Sequence, residues 1–493
     1  MSTYLTVAIP YVNAAPHIGY AYELIEADLA ARARRALGEP VRFLGGTDEY
    51  SLKNVLAAEA AGETTQEFVD NCADRFEALA EPLHISFDDF IRTSRDPRHR
   101  PAVEKLWRAC ARRGDIYQRE YSGSYCLGCE QFYGLAELID GCCPEHGTPT
   151  ETVTESNWFF RLSRYTDQLV ELIETRELDV TPESYRVEIL AFLRRGLDDI
   201  SISRTVQRAR GWGIPVPDDP TQVVYVWFDA LTNYISALGY GTGGDLYQRW
   251  WCQTDERVHV VGKGITRFHA VYWPAFLLSA GEPIPTRIQV HPYLSVDGAK
   301  ISKSIGSGPP PIELVERFGG DALRWWITSD VSAVSDTDFT VDRLVGRANE
   351  TLANGFGNAV NRVTTLQHRA NQLTGRRGLA GEPLASISDL TFDVATALAA
   401  FDRRAAAEKV IAAIDAVNRN IEITAPWKLA RDPSRADELA TLLATYVASL
   451  RLIAHAIQPI TPELAARAHA QLGSESATPP NPIYGRLAGI PTT

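Results

Sequence analysis

The chain of 493 residues is 45% hydrophobic and 23% charged, a composition typical of globular proteins large enough for several domains. It contains no apolar run of membrane-spanning length and no signal peptide, so we expect a cytoplasmic protein without a membrane partner. The net charge of −13 argues against a nucleic-acid partner, but residues 341–493 hold 16 Lys+Arg against 14 Asp+Glu, which leaves the acidic excess in the front of the chain.

The chain begins with a strand–helix–strand pattern. A β-rich run over residues 3–9 stops at Pro10, a helical pattern begins near Ile18, and Gly38 follows it as a C-terminal cap. A second strand, VRFL, runs directly into GGTDE. This order predicts an α/β fold with a doubly wound parallel, Rossmann-like sheet, in which ligands bind at the carboxyl ends of the strands.

The first strand–helix junction, PHIGY, has the features of a phosphate site. The first N–H groups of a helix are unpaired and lie at the positive end of the helix dipole, which favours an anion. Gly19 would let a nucleotide lie flat against the turn, and the imidazole of His17 could donate to a phosphate oxygen. Position alone leaves equally open that His17 only caps the end of the strand.

Around residues 116–150 the pattern breaks into short strands, glycines and cysteines, which indicates an insertion. Two Cys-x2-Cys/His knuckles lie there, thirteen residues apart, and together they offer three sulfurs and one nitrogen. This set suits a closed tetrahedral site for one structural Zn²⁺, because no position stays open for water. Cys142 could compete with its neighbour, but only Cys143 repeats the knuckle spacing. The predicted ligands are Cys126, Cys129, Cys143 and His146.

Strand and helix signals return at 223–290, so we expect the sheet to be interrupted by the insertion and then resumed. The loop DGAKISKSIG at 297–306 follows and carries Lys300 and Lys303 around Ser302. Two mobile cations suit electrostatic stabilisation of a charged leaving group. Taken alone, a solvated basic loop explains them better. From about residue 345 the pattern is almost wholly helical and predicts a bundle.

In their order and separation, PHIGY and KISKS resemble the two signatures of class I aminoacyl-tRNA synthetases. The resemblance narrows to the methionyl-tRNA synthetases and covers essentially the whole chain. It implies an enzyme that joins L-methionine to tRNA(Met) through a methionyl-adenylate, with ATP and Mg²⁺ as substrate, and that acts as a monomer. The segments that carry it are PYVNAAPHIGY, FLGGTDE, YVWFDALTNYISALGY, GKGITRFHAVYWPAFLLSAG, DGAKISKS and NRNIEITAPWKLA.

The resemblance also implies roles for individual residues of an active site. His17, Gly19 and Tyr20 would serve the ATP phosphates together with Lys300 and Lys303, and Gly262 would line the nucleotide. Asp48 would receive the ammonium group of the amino acid, as a carboxylate at the end of a strand can. The wall around the side chain would be aromatic and polarisable, which suits a thioether. The remaining implied pocket residues are Ile9, Tyr11, Trp227, Ala230, Leu231, Tyr234, Ile265 and His269.

The same resemblance implies that Asn358, Arg362 and Trp427 read the CAU anticodon. Asn358 and Arg362 are four residues apart and share one helix face, and Trp427 could stack on an unstacked base. A buried tryptophan after Pro426 is the alternative. The implied division is a catalytic nucleotide-binding domain in two halves, 1–115 and 223–304, a connective insertion with the zinc knuckles at 116–222, a linker or stem-contact region at 305–344, and a helical anticodon-binding domain at 345–493.

The chain departs from the usual family residues at a few positions. Tyr20 stands where a second histidine is usual, Tyr50-Ser51 stand for His-Gly, Gly264 replaces an aspartate near the ribose, and Ile301 replaces a methionine. We expect Tyr20 still to serve ATP through its hydroxyl or its ring. The departures leave two alternatives open: a paralogue that activates a methionine analogue for resistance or secondary metabolism, and a non-catalytic tRNA-binding relic.

Overall fold

A computed structural model describes residues 1–126, 131–134, 137–144, 147–296, 299–300, 309–374, 381–473 and 481–489. Strands and helices alternate in its first part. The first helix begins at Ile18 because His17 caps it, with the imidazole Nδ1 accepting the N–H of Tyr20 at 3.3 Å. The elements are β1 (Thr3–Val7), α1 (Ile18–Ala36), β2 (Val41–Thr47), α2 (Leu52–Ala61), α3 (Thr65–Glu77), β3 (Asp89–Arg92) and α4 (His99–Arg112).

The middle of the chain is dominated by short strands. Its longest hairpin is antiparallel and pairs Ile116 with Phe160 at one end and Tyr125 with Glu151 at the other. The elements are β4 (Ile116–Cys126), β5 (Gln131–Tyr133), β6 (Glu151–Phe160), α5 (Thr166–Glu174), β7 (Asp179–Thr181), α6 (Glu183–Leu193), β8 (Ile200–Ser201), β9 (Ser203–Thr205), β10 (Pro215–Val216) and β11 (Asp219–Val224).

The rest of the chain returns to the strand–helix alternation and then becomes helical. The elements are α7 (Val226–Ser236), α8 (Asp245–Tyr247), β12 (Glu256–Gly262), α9 (Trp273–Ala280), β13 (Arg287–His291), β14 (Leu294–Val296), β15 (Ala299–Lys300), α10 (Pro311–Phe318), α11 (Gly320–Ser329), β16 (Thr337–Asp338), α12 (Val341–Arg347), α13 (Asn358–Thr374), α14 (Leu390–Ala399), α15 (Arg403–Thr424), α16 (Pro426–Leu429), α17 (Ala436–Ile457) and α18 (Pro462–Gly473).

The central sheet has six parallel strands in the order β3-β2-β1-β12-β13-β7. The strand order reverses between β1 and β12, and this confirms the predicted doubly wound, Rossmann-like sheet followed by a helical region. Along the chain the sheet continues with β7 and then with β12, and not at residue 223, because β11 belongs to a small antiparallel sheet with β9 and β10. The range 116–222 stays a prediction for the insertion, and β7 within it is an edge strand of the central sheet.

Helix α1 lies between the central sheet and the C-terminal helices, and fifteen of its nineteen residues are buried. One continuous apolar core joins α1 to α11 and α14. The buried charges of α1 are paired across this interface. Asp28 forms an ion pair with Arg324 of α11 at 2.7 Å, and both side chains are 0% exposed. Arg324 also donates to the carbonyls of Leu83, Pro459 and Ile460.

A second contact ties the helical region to α1. Arg403, the first residue of α15, is buried and donates to the hydroxyl of Tyr22 at 2.8 Å. The same guanidinium lies 3.8 Å from Glu26 and donates to the carbonyl of Ile327. The opposite face of the sheet has its own apolar core, formed with α4, α7 and α9. The sheet is therefore covered on both faces, as its parallel strands require.

The segment Pro433–Ile457, which contains α17, is apolar and long enough to cross a membrane by length and composition. The sequence expectation of no such run is thus wrong for this segment. However, 56% of its most apolar window is buried inside the protein, and α17 packs against α13, α14 and α15. This is the position of a core helix in a bundle.

Candidate functional site

The crevice between the carboxyl ends of β1 and β12 is where the predicted pocket residues meet. The chain leaves β1 for α1 on one face of the sheet and leaves β12 for α9 on the other, so the two connections diverge there. Beyond the strands, Tyr11 pairs with Asp48, and the Asp48 N–H donates to Pro10 at 2.9 Å. The structure therefore brings Tyr11 and the buried Asp48 together at one edge.

The start of α1, which is the predicted phosphate site, lies beside this crevice. His17 is half-buried, and its Nδ1 accepts the Tyr20 N–H, so the neutral imidazole carries its proton on Nε2. A Cβ on Gly19 would lie 3.0 Å from the His17 ring. A side chain at position 19 would therefore crowd the imidazole, and glycine avoids this contact at the start of the helix.

The side chain of Tyr20 is buried, whereas the sequence led us to expect it at ATP. Its ring is 5% exposed and packs edge-to-face against Phe76 of α3, with ring centroids 5.1 Å apart. Its hydroxyl has no hydrogen-bond partner among the residues that the structure describes. Burial, with a smaller contribution from Glu23, raises the pKa of Tyr20. The side chain is thus part of the apolar core between α1 and α3. This geometry does not support a role for its hydroxyl at ATP.

A neutral histidine lies at the base of the pocket. The Nδ1–H of His269 donates to the Ile265 carbonyl at 2.9 Å, and the Tyr234 hydroxyl donates to Nε2 at 2.7 Å. Burial lowers the pKa of His269 to about 4, although its bond to Ile265 acts in the opposite direction. His269 is therefore uncharged at neutral pH, and it presents no cation to repel the ammonium group of an amino acid.

The aromatic wall is completed by Trp227, which begins the first turn of α7. Its indole stacks on Phe268 with ring centroids 3.7 Å apart, and it lies 6.5 Å from the Tyr11 ring. The His269 ring is 6.3 Å away and nearly perpendicular. Of the other expected pocket residues, Ala230 and Leu231 are buried on the same helix, and Ile9 and Ile265 are half-buried.

The sequence analysis missed Phe268, Glu23 and His291. Glu23 of α1 accepts the Ala8 N–H at 3.0 Å and bonds His291 Nε2 at 3.0 Å. Burial disfavours a charged His291, but the hydrogen bond and charge of Glu23 outweigh burial and raise its pKa. This hydrogen-bonded pair joins α1 to the end of β13. Two features of the sequence could have indicated these residues. His291 stands at the end of a strand, and Phe268 is the neighbour of His269.

Two of the departures have structural explanations. Ser51 caps α2, with its hydroxyl accepting the Lys53 N–H at 3.1 Å. Tyr50 packs at 5.5 Å from the Trp212 ring, and burial, with Asp229 and Glu49, raises its pKa to about 12. Gly262 is the last residue of β12, and its contact with the nucleotide stays a prediction. The Lys300 backbone pairs with Ser295, whereas the Lys300 side chain, Ile301 and Lys303 lie outside the described residues.

Half of the predicted zinc site lies within the described residues. Cys126 at the end of β4 and Cys143 are both buried and form one small cluster with Tyr133. Cys142 is only half-buried and lies outside that cluster. Cys129 and His146 fall outside the described residues, and among those described no group of three potential ligands forms. Cys143 as a ligand in place of Cys142 therefore stays a prediction.

The three predicted anticodon residues meet on the surface of the helical region. Asn358 is exposed at the start of α13, and Arg362 follows one turn later. The Arg362 guanidinium lies 5.6 Å from the ring centroid of Trp427. Trp427 is 36% exposed. The alternative of a buried tryptophan after Pro426 is therefore not what the chain adopts, and an aromatic face with a neighbouring cation is available to a ligand.

Comparison with known proteins finds matches along almost the whole chain. The family model described as tRNA synthetases class I (M) matches residues 3–152 and 135–364. A methionine–tRNA ligase of Brucella suis is 41% identical over 473 residues, which cover 94% of this chain and 90% of the relative. One of Thermotoga maritima is 38% identical over 474 residues, which cover 94% of this chain and 74% of the relative.

A solved structure extends the likeness to three dimensions. Mycobacterium tuberculosis methionyl-tRNA synthetase in complex with methionyl-adenylate superposes with a TM-score of 0.87 at 40% identity. The match covers 95% of this chain and 93% of that one. Its apo form superposes with a TM-score of 0.82 at 36% identity and covers 99% of this chain and 98% of that one.

Proposed function

The chain belongs to the methionine–tRNA ligase family of class I tRNA synthetases, and from this premise we propose that it joins L-methionine to tRNA(Met) in an ATP-dependent reaction. The observation that carries the proposal is the crevice between β1 and β12. There the buried carboxylate of Asp48 lies at a strand end beside an aromatic wall that holds a neutral histidine. An ammonium group and a polarisable apolar side chain are the complements of these two features.

In the first step, a carboxylate oxygen of methionine attacks the α-phosphorus of ATP. The bond from that phosphorus to the β-phosphate oxygen breaks, and pyrophosphate leaves with the electron pair. His17 Nε2–H and the N–H groups at Gly19 stabilise the charge that develops on the phosphate, while Lys300 and Lys303 hold the leaving phosphates. A carboxylate is already a nucleophile, so catalysis consists of positioning and electrostatics. Mg²⁺ accompanies ATP and supplies charge neutralisation when bound.

In the second step, a ribose hydroxyl of the terminal adenosine of the tRNA attacks the methionyl carbonyl and releases AMP. The amino acid stays in place because Asp48 pairs with its ammonium group. The wall around its side chain is formed by Trp227, Tyr234 and His269, with Tyr11 and Phe268 adjoining Trp227. Ile9, Ala230, Leu231 and Ile265 supply the apolar remainder, and Gly262 lies at the nucleotide end.

The test is pyrophosphate exchange into ATP with a panel of amino acids. Methionine should support the fastest exchange, and purified tRNA(Met) should become charged. Faster exchange with a methionine analogue would favour the paralogue alternative. Binding of tRNA without any exchange would favour the non-catalytic relic. Either result would contradict the proposed function.

One structural Zn²⁺ in the insertion is part of the proposal. Two buried thiols, Cys126 and Cys143, lie in one cluster, and a knuckle partner follows each at the spacing that tetrahedral zinc sites use. Cys129 and His146 would complete the set. The metal would cross-link the knuckle region of the insertion, where the described buried cluster consists of Cys126, Tyr133 and Cys143.

We expect Cys143→Ala to lose the metal, because the change removes one of four ligands from a closed site. Metal analysis of the purified parent should give about one equivalent of zinc, and the variant should give none. Cys142→Ala is the matched control and should keep the metal, since Cys142 lies outside the cluster. Loss from Cys142→Ala and retention by Cys143→Ala would reverse the ligand assignment.

We expect Trp427→Ala to weaken charging of tRNA(Met) by tenfold or more, because a stacked base is worth ~1–3 kcal/mol. Methionine-dependent pyrophosphate exchange should stay at the parent rate, since the change leaves the crevice untouched. Phe392→Ala removes another exposed aromatic ring of the helical region and should leave charging unchanged. An equal loss of charging and exchange in Trp427→Ala would mean that the tryptophan stabilises the fold instead.

Asn358 and Arg362 share the surface of Trp427 and are proposed to read the anticodon with it. The proposal also keeps the division into catalytic halves 1–115 and 223–304, the insertion 116–222, the linker 305–344 and the anticodon-binding domain 345–493. It places the enzyme in translation, in the cytoplasm, and as a monomer.

A further inference from the structure

Tyr293 lies just beyond the end of β13 and covers Gly262, the last residue of β12, and Gly264 just after it. A Cβ on Gly262 would lie 3.6 Å from Cε1 of the tyrosine ring, which is an ordinary contact. A Cβ on Gly264 would lie only 1.9 Å from the Tyr293 hydroxyl oxygen, which is an overlap. A side chain at position 264 and the tyrosine in this position therefore exclude each other.

Tyr293 is held by contacts to its ring and to its backbone. The Lys263 ammonium lies 4.8 Å from the ring centroid, a cation–π distance, and its Nζ is 2.8 Å from both carboxylate oxygens of Asp336. Asp336 also accepts the backbone N–H of Tyr293 at 2.9 Å. The hydroxyl is thus presented at a defined place above Gly264 rather than by a freely rotating side chain.

This place adjoins the phosphate-facing start of α1. His291, two residues before Tyr293, bonds Glu23 in the second turn of that helix at 3.0 Å. The ends of β12 and β13 therefore flank the same crevice. A nucleotide whose phosphates lie at the N-terminus of α1 would have its sugar over the neighbouring strand ends.

We propose that the Tyr293 hydroxyl binds a sugar hydroxyl of ATP, in the space that a side chain at 264 would otherwise occupy. A phenol can both donate to and accept from a ribose hydroxyl, and it brings no charge towards the triphosphate. The inference rests on the proposed function. It makes Gly264 and Tyr293 one coupled pair in nucleotide recognition.

The test compares Tyr293→Phe with the parent in methionine-dependent pyrophosphate exchange. Loss of one hydrogen bond should raise the KM for ATP about three- to tenfold and leave the KM for methionine unchanged. The parent should discriminate against 2′-deoxy-ATP or 3′-deoxy-ATP, and the variant should lose that discrimination. A purely structural role of the hydroxyl would not change it. Tyr117→Phe, whose hydroxyl donates to Asp199 at 2.8 Å in the insertion, is the control and should match the parent.

A second comparison tests the coupling. Gly264→Ala in the parent should raise the KM for ATP at least as much as Tyr293→Phe does, because the methyl group displaces the hydroxyl. In a Tyr293→Phe background the nearest atom becomes the ring Cζ, 3.2 Å from the new Cβ, which a small shift relieves. The double variant should therefore be no worse than Tyr293→Phe alone. Multiplied losses in the double variant would contradict the coupling.

The outcomes separate this inference from the proposed function. No methionine-dependent exchange in the parent would refute the proposed function and the inference with it. An active parent, with unchanged ATP KM and unchanged deoxynucleotide discrimination in Tyr293→Phe, would refute the inference alone.

Discussion

His17→Ala is expected to slow methionine-dependent pyrophosphate exchange by about 10²–10³-fold, the usual loss when a donor to a developing anion is removed. The donor is Nε2–H, because Nδ1 accepts the Tyr20 N–H. Since the charge on the phosphate grows in the transition state, kcat should fall much more than the KM for ATP rises. Steady-state exchange kinetics at varied ATP concentration measure both quantities.

Tyr20→Phe is the matched control for this change. It alters the next side chain along the same helical turn, but its hydroxyl is buried in the core without a hydrogen-bond partner among the described residues. Removing such a group costs little, so exchange should stay within about twofold of the parent. Parent-like exchange in His17→Ala would contradict the catalytic role of His17. A tenfold loss in Tyr20→Phe would contradict the assignment of Tyr20 to the core.

Arg324→Leu is expected to lower the free energy of unfolding by about 3–5 kcal/mol at neutral pH, because it leaves the charge of Asp28 buried without its main partner. Three backbone carbonyls also lose the guanidinium that they accept from. Urea unfolding followed by fluorescence measures the difference. Arg404→Leu removes an exposed i,i+4 pair with Glu408 and should change the stability by at most about 0.5 kcal/mol.

The difference in the free energy of unfolding between the parent and Arg324→Leu should depend on pH in a defined direction. Burial alone would raise the pKa of Asp28, but the charges of Arg324 and Arg32 and the hydrogen bonds from Ser86 outweigh it, so the pKa is lowered. The ionised carboxylate therefore stabilises the parent above its unfolded pKa of about 3.9, and this stabilisation is lost as the pH falls through the lower folded pKa. The difference between parent and variant should shrink below pH 4. A difference that is constant from pH 7 to pH 3 would contradict the ion-pair explanation.

The sheet and the crevice could be predicted from the sequence because the patterns that indicate them lie in short, continuous segments. A β-rich run ended by Pro10 and a glycine-containing helix start predict a strand and a helix without knowledge of distant residues. The pocket wall was predicted only through the family resemblance. Trp227 and Tyr234 look like core residues in a single sequence, and their contact with His269 depends on how α7 packs against the segment before α9.

The orientation of Tyr20 could not be predicted for a related reason. Helix α1 is buried on nearly all sides, so its pattern has no polar face that would show which residues point to the crevice and which to α3. The strand β7 is three residues long and was absorbed into the predicted insertion. The link between Glu23 and His291 spans 268 residues of sequence, and no local pattern encodes such a pair.

Arg324 and Arg403 contact buried polar side chains of α1. These contacts limit how the protein can be divided into separately folded fragments. The proposed function assigns a catalytic part and an anticodon-reading part, yet the apolar core runs without a break from β1 through α1 into α14 and α15. A fragment that ended before α14 would leave Glu26 and Tyr22 without the Arg403 guanidinium, and it would expose the apolar face of α1 that packs against α14. We therefore expect the two parts to unfold together as one cooperative unit. Separate expression of the first part would require a redesigned surface on α1 rather than a shorter gene alone.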